Sequence, residues 1–403
     1  MEGQVVARPG RAGPASAARF PFSWGSLVGD VIETGACSGC GGCVVACPRG
    51  VLDLDQGSWR PRLAAEARVV GSAEECLYAA RGCSMCARAC PRFGTWEREA
   101  DMAVRGRARD GGEVFGVYRR LCLAAATDPE ISAAGQDGGL ATALLAYALE
   151  QGVIDAALVS YGEKGMRPRP GVARSRAEAV AAAGSRYTYS ANLIAWSEAA
   201  SAGAARLGLV SVGCQASVPA VAGARGARRL AGRFALTIGL FCACAFTDEL
   251  FSSLLVSRGI NRDQVTRMNV KGRLQVWAGS PAGDDPDLEV PLRECHSYDR
   301  PGCRHCPDFA AQHADVSLGG IGSQAGMTLT VVRSDLGVRL LEGMERDGRV
   351  RVVDAEREDP EAVALLSRMA GRQRRRWAAF AAATPGIDPS PGVSAAEQRV
   401  PGR

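Results

Sequence analysis

Closely spaced cysteines are the residues of this sequence best suited to chemistry. Between Cys37 and Cys47 they follow the pattern C-x-x-C-x-x-C-x-x-x-C, and Pro48 comes directly after the last one. This is the spacing of the bacterial run that binds 4Fe-4S clusters, in which three thiolates ligate one cluster and the fourth ligates another. The intervening Gly39 and Gly41 permit the positive φ angles that a tight loop around a cluster requires.

A second cysteine run repeats the end of that spacing as Cys83-x-x-Cys86-x-x-x-Cys90-Pro91, but its first member, Cys76, stands seven positions before Cys83 instead of three. The crossover rule predicts two 4Fe-4S clusters. Their metal ligands are Cys37, Cys40, Cys43 and Cys90 for the first and Cys47, Cys76, Cys83 and Cys86 for the second. Zinc is the alternative, because C-x-x-C units also bind zinc, although a zinc module would not need Cys-Pro at the end of both runs.

Overall composition narrows the class of protein. The 15 cysteines are an odd number, and many of them form short C-x-x-C units without a secretory signal, which favours metal ligation in a reducing compartment over disulfides. We therefore expect a cytoplasmic protein. The most apolar stretch, residues 234–246, is far shorter than the roughly 20 residues that span a bilayer, so no membrane span is expected. The net charge of +5 is modest, and no nucleic-acid partner is predicted.

The cysteine runs need a scaffold, and composition divides the 403 residues into four regions. We predict a disordered tail at 1–28, a small two-cluster ferredoxin-like domain at 29–107, a long mixed body, and a polar, Arg-rich C-terminal segment at 354–403. In that last segment a solvated helix face is the default interpretation of Arg368, Arg372 and residues 374–376. Docking of an acidic partner or cofactor tail is the other interpretation.

Helix and strand patterns alternate in the body. Apolar residues at 140–149 predict a helix that ends before Gly152, and 153–159 reads as a buried strand. Further strands are predicted at 207–212, 234–241, 265–270, 274–277, 316–318 and 328–332. The fold class is therefore α/β (α+β), with a mixed sheet in the larger body.

A glycine-rich segment from Ser132 to Gly139 leads directly into the predicted helix at Leu140. Its backbone N–H groups and the positive end of the helix could face an anion such as a cofactor pyrophosphate. A plain glycine turn before a helix would look the same. No G-x-G-x-x-G follows a strand, so a Rossmann dinucleotide site is not supported. The three histidines lack H-E-x-x-H spacing, and surface or hydrogen-bonded roles are expected for them.

Read together, six ordered blocks between residues 117 and 353 resemble the beta subunit family of coenzyme F420 hydrogenases and dehydrogenases. The blocks are GQDGGLATALL from Gly135, GSRYTYS from Gly184, GCQ from Gly213, IGLFC from Ile238, KG from Lys271, and GCRHCPDF from Gly302 with ADVSLGGIGS from Ala314. One departure is Val212-Gly213 before Cys214, where members of the family usually have Pro before the cysteine.

The resemblance implies a flavin-binding α/β body, with its N-terminal part at 115–200 and its C-terminal part at 201–353. Matched position by position, it implies that the following residues bind FAD: Gly135, Gln136, Asp137, Gly138, Gly139, Thr142, Ser185, Arg186, Tyr187 and Lys271. It also implies a third 4Fe-4S cluster with Cys214, Cys242, Cys303 and Cys306 as metal ligands. Cys122, Cys244 and Cys295 are left over, and small buried side chains are expected for them.

The function implied is that of an oxidoreductase that passes electrons between a hydride carrier, coenzyme F420, and the clusters through FAD, with no catalytic side chain required. A redox partner protein or a ferredoxin would exchange electrons with it. Two alternatives stay open: a ferredoxin-driven reductase of another substrate, as in the tetrapyrrole reductases of the same superfamily, and a non-catalytic electron-transfer subunit of a larger complex.

Overall fold

The computed structural model describes residues 22–55, 57–70, 75–279 and 285–391. The tail predicted at 1–28 falls mainly outside these ranges. Within it, helix α1 (Trp24–Leu27) packs its Trp24 and Leu27 side chains, only 4% and 2% exposed, into the core of the cysteine-rich domain. The cysteine-rich domain therefore includes residues before 29, because Trp24 and Leu27, three positions apart, share one helix face and pack into its core.

The cysteine-rich domain, here called the module, consists mainly of loops with short elements. These are α1, a π-helical turn (Val28–Ile32), α2 (Gly42–Ala46), β1 (Leu52–Leu54), β2 (Pro61–Leu63), a 3₁₀ turn (Ala65–Ala67), α3 (Met85–Arg88) and α4 (Trp96–Arg105). Strands β1 and β2 are antiparallel, with Leu52 opposite Leu63. Cysteine side chains are part of the module's core beside its apolar residues, so its packing centres on the predicted ligands.

The body is built on a mixed sheet, as the sequence predicts, and this sheet has eight strands. The body strands are β3 (Arg120–Ala126), β4 (Ala156–Glu163), β5 (Arg167–Ala173), β6 (Leu207–Val212), β7 (Phe234–Leu240), β8 (Val265–Val270), β9 (Arg273–Ala278), β10 (Leu288–Pro291), β11 (Val316–Gly319), β12 (Thr328–Val332) and β13 (Val350–Asp354). The main sheet has the order β13-β3-β12-β11-β7-β6-β4-β5, and the pairs β4–β6, β6–β7 and β7–β11 are parallel. Strands β8 to β10 form a separate antiparallel sheet with its own core.

Helices cover the main sheet and connect its strands. They are α5 (Pro129–Ala134), α6 (Leu140–Glu150), α7 (Arg176–Ala181), α8 (Trp196–Ser201), α9 (Gly213–Ala224), α10 (Arg228–Ala231), α11 (Leu292–Cys295), α12 (Asp335–Arg346), α13 (Ala355–Glu358) and α14 (Pro360–Ala383). Short helical turns lie at Lys164–Met166, Asn192–Ala195, Leu250–Leu255, Arg262–Gln264, His296–Tyr298 and Pro301–Cys303. In the described ranges, none of the helices has the length and apolar character needed to cross a membrane.

Most predicted elements are confirmed, with informative differences. Helix α6 ends as predicted, with Gly152 at φ +63°. Strand β4 starts later than the predicted 153, because the Val153 N–H bonds to the Ala148 carbonyl at 2.9 Å and so completes the end of α6. Among the body strands, the sequence analysis missed β3, β5, β10 and β13.

The last long helix, α14, joins the body to the module. Leu366 and Ala370 pack beneath the main sheet, whereas Trp377 and Ala381 pack in the module's core. Arg368 and Arg372 are exposed, in line with a solvated face, but Arg374 is buried and bonds to Glu97 of α4 at 2.8 and 3.0 Å. The Arg-rich segment thus helps to hold the two domains together.

Candidate functional site: three groups of cysteines and a glycine loop

A first group of four thiols surrounds one cavity in the module. Its lining includes Cys37, Cys40, Cys43 and Cys90. Burial raises the pKa of Cys40 to about 11, and it raises the pKa of Cys43 well above the ordinary thiol value. Without a metal these groups are neutral at pH 7, and a coordinated metal would deprotonate them.

A second group of four thiols surrounds another cavity, whose lining includes Cys47, Cys76, Cys83 and Cys86. Cys76, displaced in the sequence spacing, reaches this cavity because its segment pairs with Arg68 in an antiparallel bridge. Burial, followed by the neighbouring Cys83, raises the pKa of Cys86 to about 12. All residues that line this cavity belong to the module.

The third group lies in the body, at the carboxyl ends of parallel strands. Cys214 lies two residues after the end of β6, and Cys242 lies two residues after the end of β7. Both therefore lie at the edge of the sheet where α/β proteins commonly bind ligands. Burial raises the pKa of Cys242 well above the ordinary value, with further contributions from Cys303, Cys244, Cys214 and Cys306 in that order around it. The four predicted body cysteines are therefore electrostatic neighbours.

The body group is adjacent to the first module group. Burial raises the pKa of Cys214 to about 11, and the next largest cause is the neighbouring Cys40 of the first module group. Gly302 lies against the Cys37 carbonyl so closely that a Cβ atom would overlap it, which explains glycine at this position. The Tyr189 hydroxyl lies 3.5 Å from Cys214 Sγ. Cys86 of the second module group in turn influences the pKa of Cys43 in the first. The groups therefore follow one another in the order body group, first module group, second module group.

The glycine loop lies on the same edge of the sheet as Cys242. A Cβ on Gly320, just after β11, would overlap the Asp137 carboxylate, and a Cβ on Gly138 would lie 2.7 Å from the Gly326 carbonyl oxygen. Thr328 Oγ1 donates to the Asp137 carbonyl. The loop is therefore held against β11 and β12 by contacts that only small residues allow.

Helix α6 begins at this loop without a side-chain cap. Its N-cap, Gly139, has φ +66°, and Thr142 in the first turn is only 7% exposed. The first N–H groups of a helix have no partner within the helix, so they are available to an anionic group. These features fit a phosphate-bearing cofactor.

Other residues predicted to bind the cofactor converge on the loop. Gln136 Nε2 donates to Tyr187 OH at 3.1 Å and to Asn269 Oδ1 at 2.6 Å. Lys271, at the tip of the β8–β9 hairpin, forms a 2.8 Å ion pair with Asp137. Asn269 was missed by the sequence analysis, because its contact depends on how the hairpin folds back.

Ser185 and Arg186 share the segment that precedes Tyr187, but the Arg186 guanidinium is turned toward its own segment. Its Nη1 donates to the carbonyls of Ala182 and Gly184 at 2.9 and 2.6 Å, and its Nε is buried without a partner among the described residues. A buried donor without a partner is available to a bound group.

Two of the unassigned cysteines and two of the histidines are buried or packed against other side chains. Cys122 and Cys295 are 1% and 0% exposed, in agreement with the prediction of small buried side chains. His313 is buried between Ser217 and Asp101, and His305 stacks on Phe380. Cys244 differs, because its sulfur lies within 4.8 Å of ligand atoms of His296 and Asp299.

The cysteine groups fit iron–sulfur clusters. The fifteen cysteines are free of disulfides, and two of the groups line cavities with four thiols each. The module matches the 4Fe-4S dicluster domain at residues 36–93, which favours 4Fe-4S clusters over zinc. With its iron–sulfur module and its mixed-sheet body, the chain is an iron–sulfur oxidoreductase.

The body matches two family models: the N-terminal region of the coenzyme F420 hydrogenase/dehydrogenase beta subunit at residues 121–196, and its C-terminal region at 204–358. The coenzyme F420 hydrogenase subunit beta of Methanothermobacter thermautotrophicus is 32% identical over 65% of this chain and 94% of its own length. The chain belongs to the coenzyme F420 hydrogenase/dehydrogenase beta subunit family.

Other similar proteins match different shares of this chain and of their own length. A chain of the F420-reducing NiFe hydrogenase complex of Methanosarcina barkeri superposes with a TM-score of 0.61 at 32% identity, covering 65% of this chain and 90% of that one. The coenzyme F420-dependent sulfite reductase of Methanocaldococcus jannaschii is 28% identical over 83% of this chain but only 50% of its own length. The 7-hydroxymethyl chlorophyll a reductase of rice is 27% identical over 60% of this chain and 53% of its own.

Proposed function

We propose that the protein transfers electrons between coenzyme F420 and three 4Fe-4S clusters through FAD. The observation that carries this proposal is the order in which the groups lie. The glycine loop and Cys242 share one edge of the sheet. Cys40 of the first module group influences Cys214 of the body group, and Cys86 of the second module group influences Cys43 of the first. A flavin, when bound, takes two electrons as hydride and releases them singly, whereas a cluster carries one electron.

In this proposal the glycine loop positions the flavin. The uncapped N-terminus of α6 binds its phosphates, and Gln136, held by Tyr187 and Asn269, fixes one side of the loop. The Lys271–Asp137 ion pair fastens the β8–β9 hairpin to the same loop. The remaining predicted residues, Ser185 and Arg186, precede Tyr187 in the chain, and the unpaired Arg186 Nε would supply a donor.

The proposed cluster ligands are the three groups already described. The body group of Cys214, Cys242, Cys303 and Cys306 would receive electrons first. A redox partner protein or ferredoxin would exchange electrons at the second module group, where Cys47 and Cys83 are partly exposed. Support comes from the names of relatives, which are subunits of F420-reducing hydrogenases.

Iron, sulfide and flavin content of anaerobically purified protein tests the proposal. We expect about twelve irons and about one FAD per chain, since each cubane holds four irons. About eight irons would remove the body group from the ligands. Bleaching of coenzyme F420 in an anaerobic assay tests the substrate, and no turnover with either its oxidised or its reduced form would contradict it.

The second candidate is a reductase that uses ferredoxin electrons on another substrate. Similarity to the rice 7-hydroxymethyl chlorophyll a reductase and to the sulfite reductase favours it. Turnover of a tetrapyrrole or sulfite with reduced ferredoxin, together with no reaction of coenzyme F420, would select this candidate. A flavin-free protein would instead be a non-catalytic electron-transfer subunit.

A further inference from the structure

Two buried arginines lie between the body cysteines and the first module group. Arg92 follows Cys90 and Pro91 directly, is 3% exposed and lines the first cavity. Its Nη2 donates to Cys306 Sγ of the body group at 3.0 Å. One side chain thus contacts both groups.

Arg300 makes the same connection from the body. It is 6% exposed, its Nη1 donates to the Ser38 carbonyl at 3.1 Å, and its guanidinium lies 3.7 Å from the centre of the Tyr189 ring. Tyr189 in turn contacts Cys214. Both arginines therefore lie where the first module loop meets the body.

Neither arginine has a carboxylate partner within salt-bridge distance among the described residues. The other contacts of Arg92 are the Pro91 carbonyl at 2.6 Å and the rings of Trp96 and Trp377, and its Nε has no partner. Among its electrostatic neighbours, the Asp308 carboxylate acts on Arg92 less strongly than Cys306 and Cys214 do. An unpaired buried cation is costly, so the thiolates of bound clusters are the charges that would offset it.

We propose that Arg92 and Arg300 raise the reduction potentials of the body cluster and of the first module cluster. This inference rests on the proposed cluster in the body. Reduction adds one electron, supplied by the hydride carrier through the flavin, to a cluster that already carries four thiolates. A positive charge held nearby in a dry environment stabilises the added negative charge. The second module cluster, whose cavity neither arginine lines, should not respond.

The test is a potentiometric titration, followed by electron paramagnetic resonance, of the anaerobic holoprotein. We compare the wild type with Arg92→Met, which removes the charge, and Arg92→Lys, which keeps it. Cys83→Ser and Cys306→Ser assign the signals of the second module cluster and of the body cluster. For Arg92→Met we expect the equilibrium constant for reduction of the body cluster and of the first module cluster to fall roughly tenfold. This corresponds to a reduction potential lower by about 59 mV for one electron. Arg92→Lys should keep most of the wild-type value.

The outcomes separate this inference from the proposed function. About twelve irons with unchanged potentials in Arg92→Met would overturn it. About eight irons in the wild type would remove the body cluster, and the first module cluster would still report the effect of Arg92. If Arg92→Met loses iron, Arg300→Met takes its place, and unchanged potentials there overturn the inference. Equal shifts in all three clusters would also contradict it, because a local charge cannot act equally on the second group.

Discussion

Cys242 and Cys244 are separated by one residue but have different neighbours. After burial, the pKa of Cys242 is raised by Cys303, Cys244, Cys214 and Cys306, in that order. The strongest influence on the pKa of Cys244 after burial is Asp299, and Cys303 follows it. Residues two apart point to the same side of a regular extended segment, and Cys244 accordingly influences Cys242. The chain bends at Ala243 between them. Spacing alone cannot say which of the two is the ligand.

We therefore expect Cys242→Ser to lose about four irons per chain, because a cubane is held by four thiolates. Cys244→Ser is the matched control and should keep the full iron content. Iron and sulfide analysis of the anaerobically purified variants measures both. Loss of iron from Cys244→Ser with none from Cys242→Ser would reverse the assignment.

Gly138 offers a second test at the level of one residue. It has φ +89°, and a Cβ would meet the Gly326 carbonyl, so Gly138→Ala must displace the loop before α6. We expect this variant to lose most of its bound FAD. The control is Gly152→Ala, since Gly152 also has positive φ but open space around it. That control should cost only about 1 kcal/mol of stability and keep its flavin. Equal flavin content in the two variants would contradict a role for the loop.

At the scale of elements, a buried ionic network joins α4, α14 and the loop before β11. Glu97 of α4 bonds to Arg374 of α14, and Arg109 bonds to Asp101 at 2.6 Å. His313 Nε2 lies 3.1 Å from the same Asp101. Because these groups are almost fully buried, each charge depends on its partner. The network therefore fixes the module against the body at the level where the cysteine groups meet.

We expect Glu97→Gln to destabilise the protein by about 3–5 kcal/mol, because it leaves Arg374 and Arg109 without their shared carboxylate. Arg372→Met, on the exposed face of α14, should change stability by no more than about 0.5 kcal/mol. Anaerobic urea unfolding of the holoproteins provides the comparison. Similar midpoints for the two variants would show that the network contributes little.

The ion pairs of Glu97 with Arg109 and Arg374 predict that stability depends on pH. Burial acts to raise the pKa of Glu97, but Arg109 and Arg374 outweigh it and hold the pKa below its ordinary value. A carboxyl group whose pKa is lowered on folding stabilises the fold above the ordinary value, about 4.3, and loses that contribution as the pH falls through the folded pKa. The stability difference between wild type and Glu97→Gln should therefore shrink below about pH 4.3. A difference that grows in acid would contradict this sign.

The sequence predicted what depends on local spacing. Cysteines a few positions apart determine which thiols can share a loop, and even the displaced Cys76 lines the cavity expected for it. Helix α6 and the strands β6 and β7 follow from apolar patterns. Arg92, Arg300 and Asn269 could not be predicted in the same way, because their partners are distant in sequence: Arg92 meets Cys306, and Asn269 meets Gln136. The role of Arg92 exists only once the module has docked on the body, and that of Asn269 only once the β8–β9 hairpin has folded back.

At the scale of the whole molecule, the two module groups occupy different positions relative to the body. The first group touches body residues through Cys40 and Gly302, whereas the lining of the second cavity comes entirely from the module. Electrons from the body would therefore reach the first cluster before the second. Under the proposed function, a redox partner would therefore exchange electrons at the second module group.

This order gives a prediction for Cys83→Ser, which removes a thiol of the second group and leaves the other two intact. We expect reduced coenzyme F420 to reduce the flavin, the body cluster and the first cluster in this variant at the wild-type rate, because none of them needs Cys83. Transfer onward to a protein acceptor should fall by at least about tenfold, which corresponds to about 1.4 kcal/mol in the barrier. Stopped-flow absorbance follows the first process, and steady-state reduction of a ferredoxin follows the second. Unchanged turnover with the ferredoxin would place the exit at the first cluster instead, and slowed flavin reduction would mean that the three groups do not act in this order.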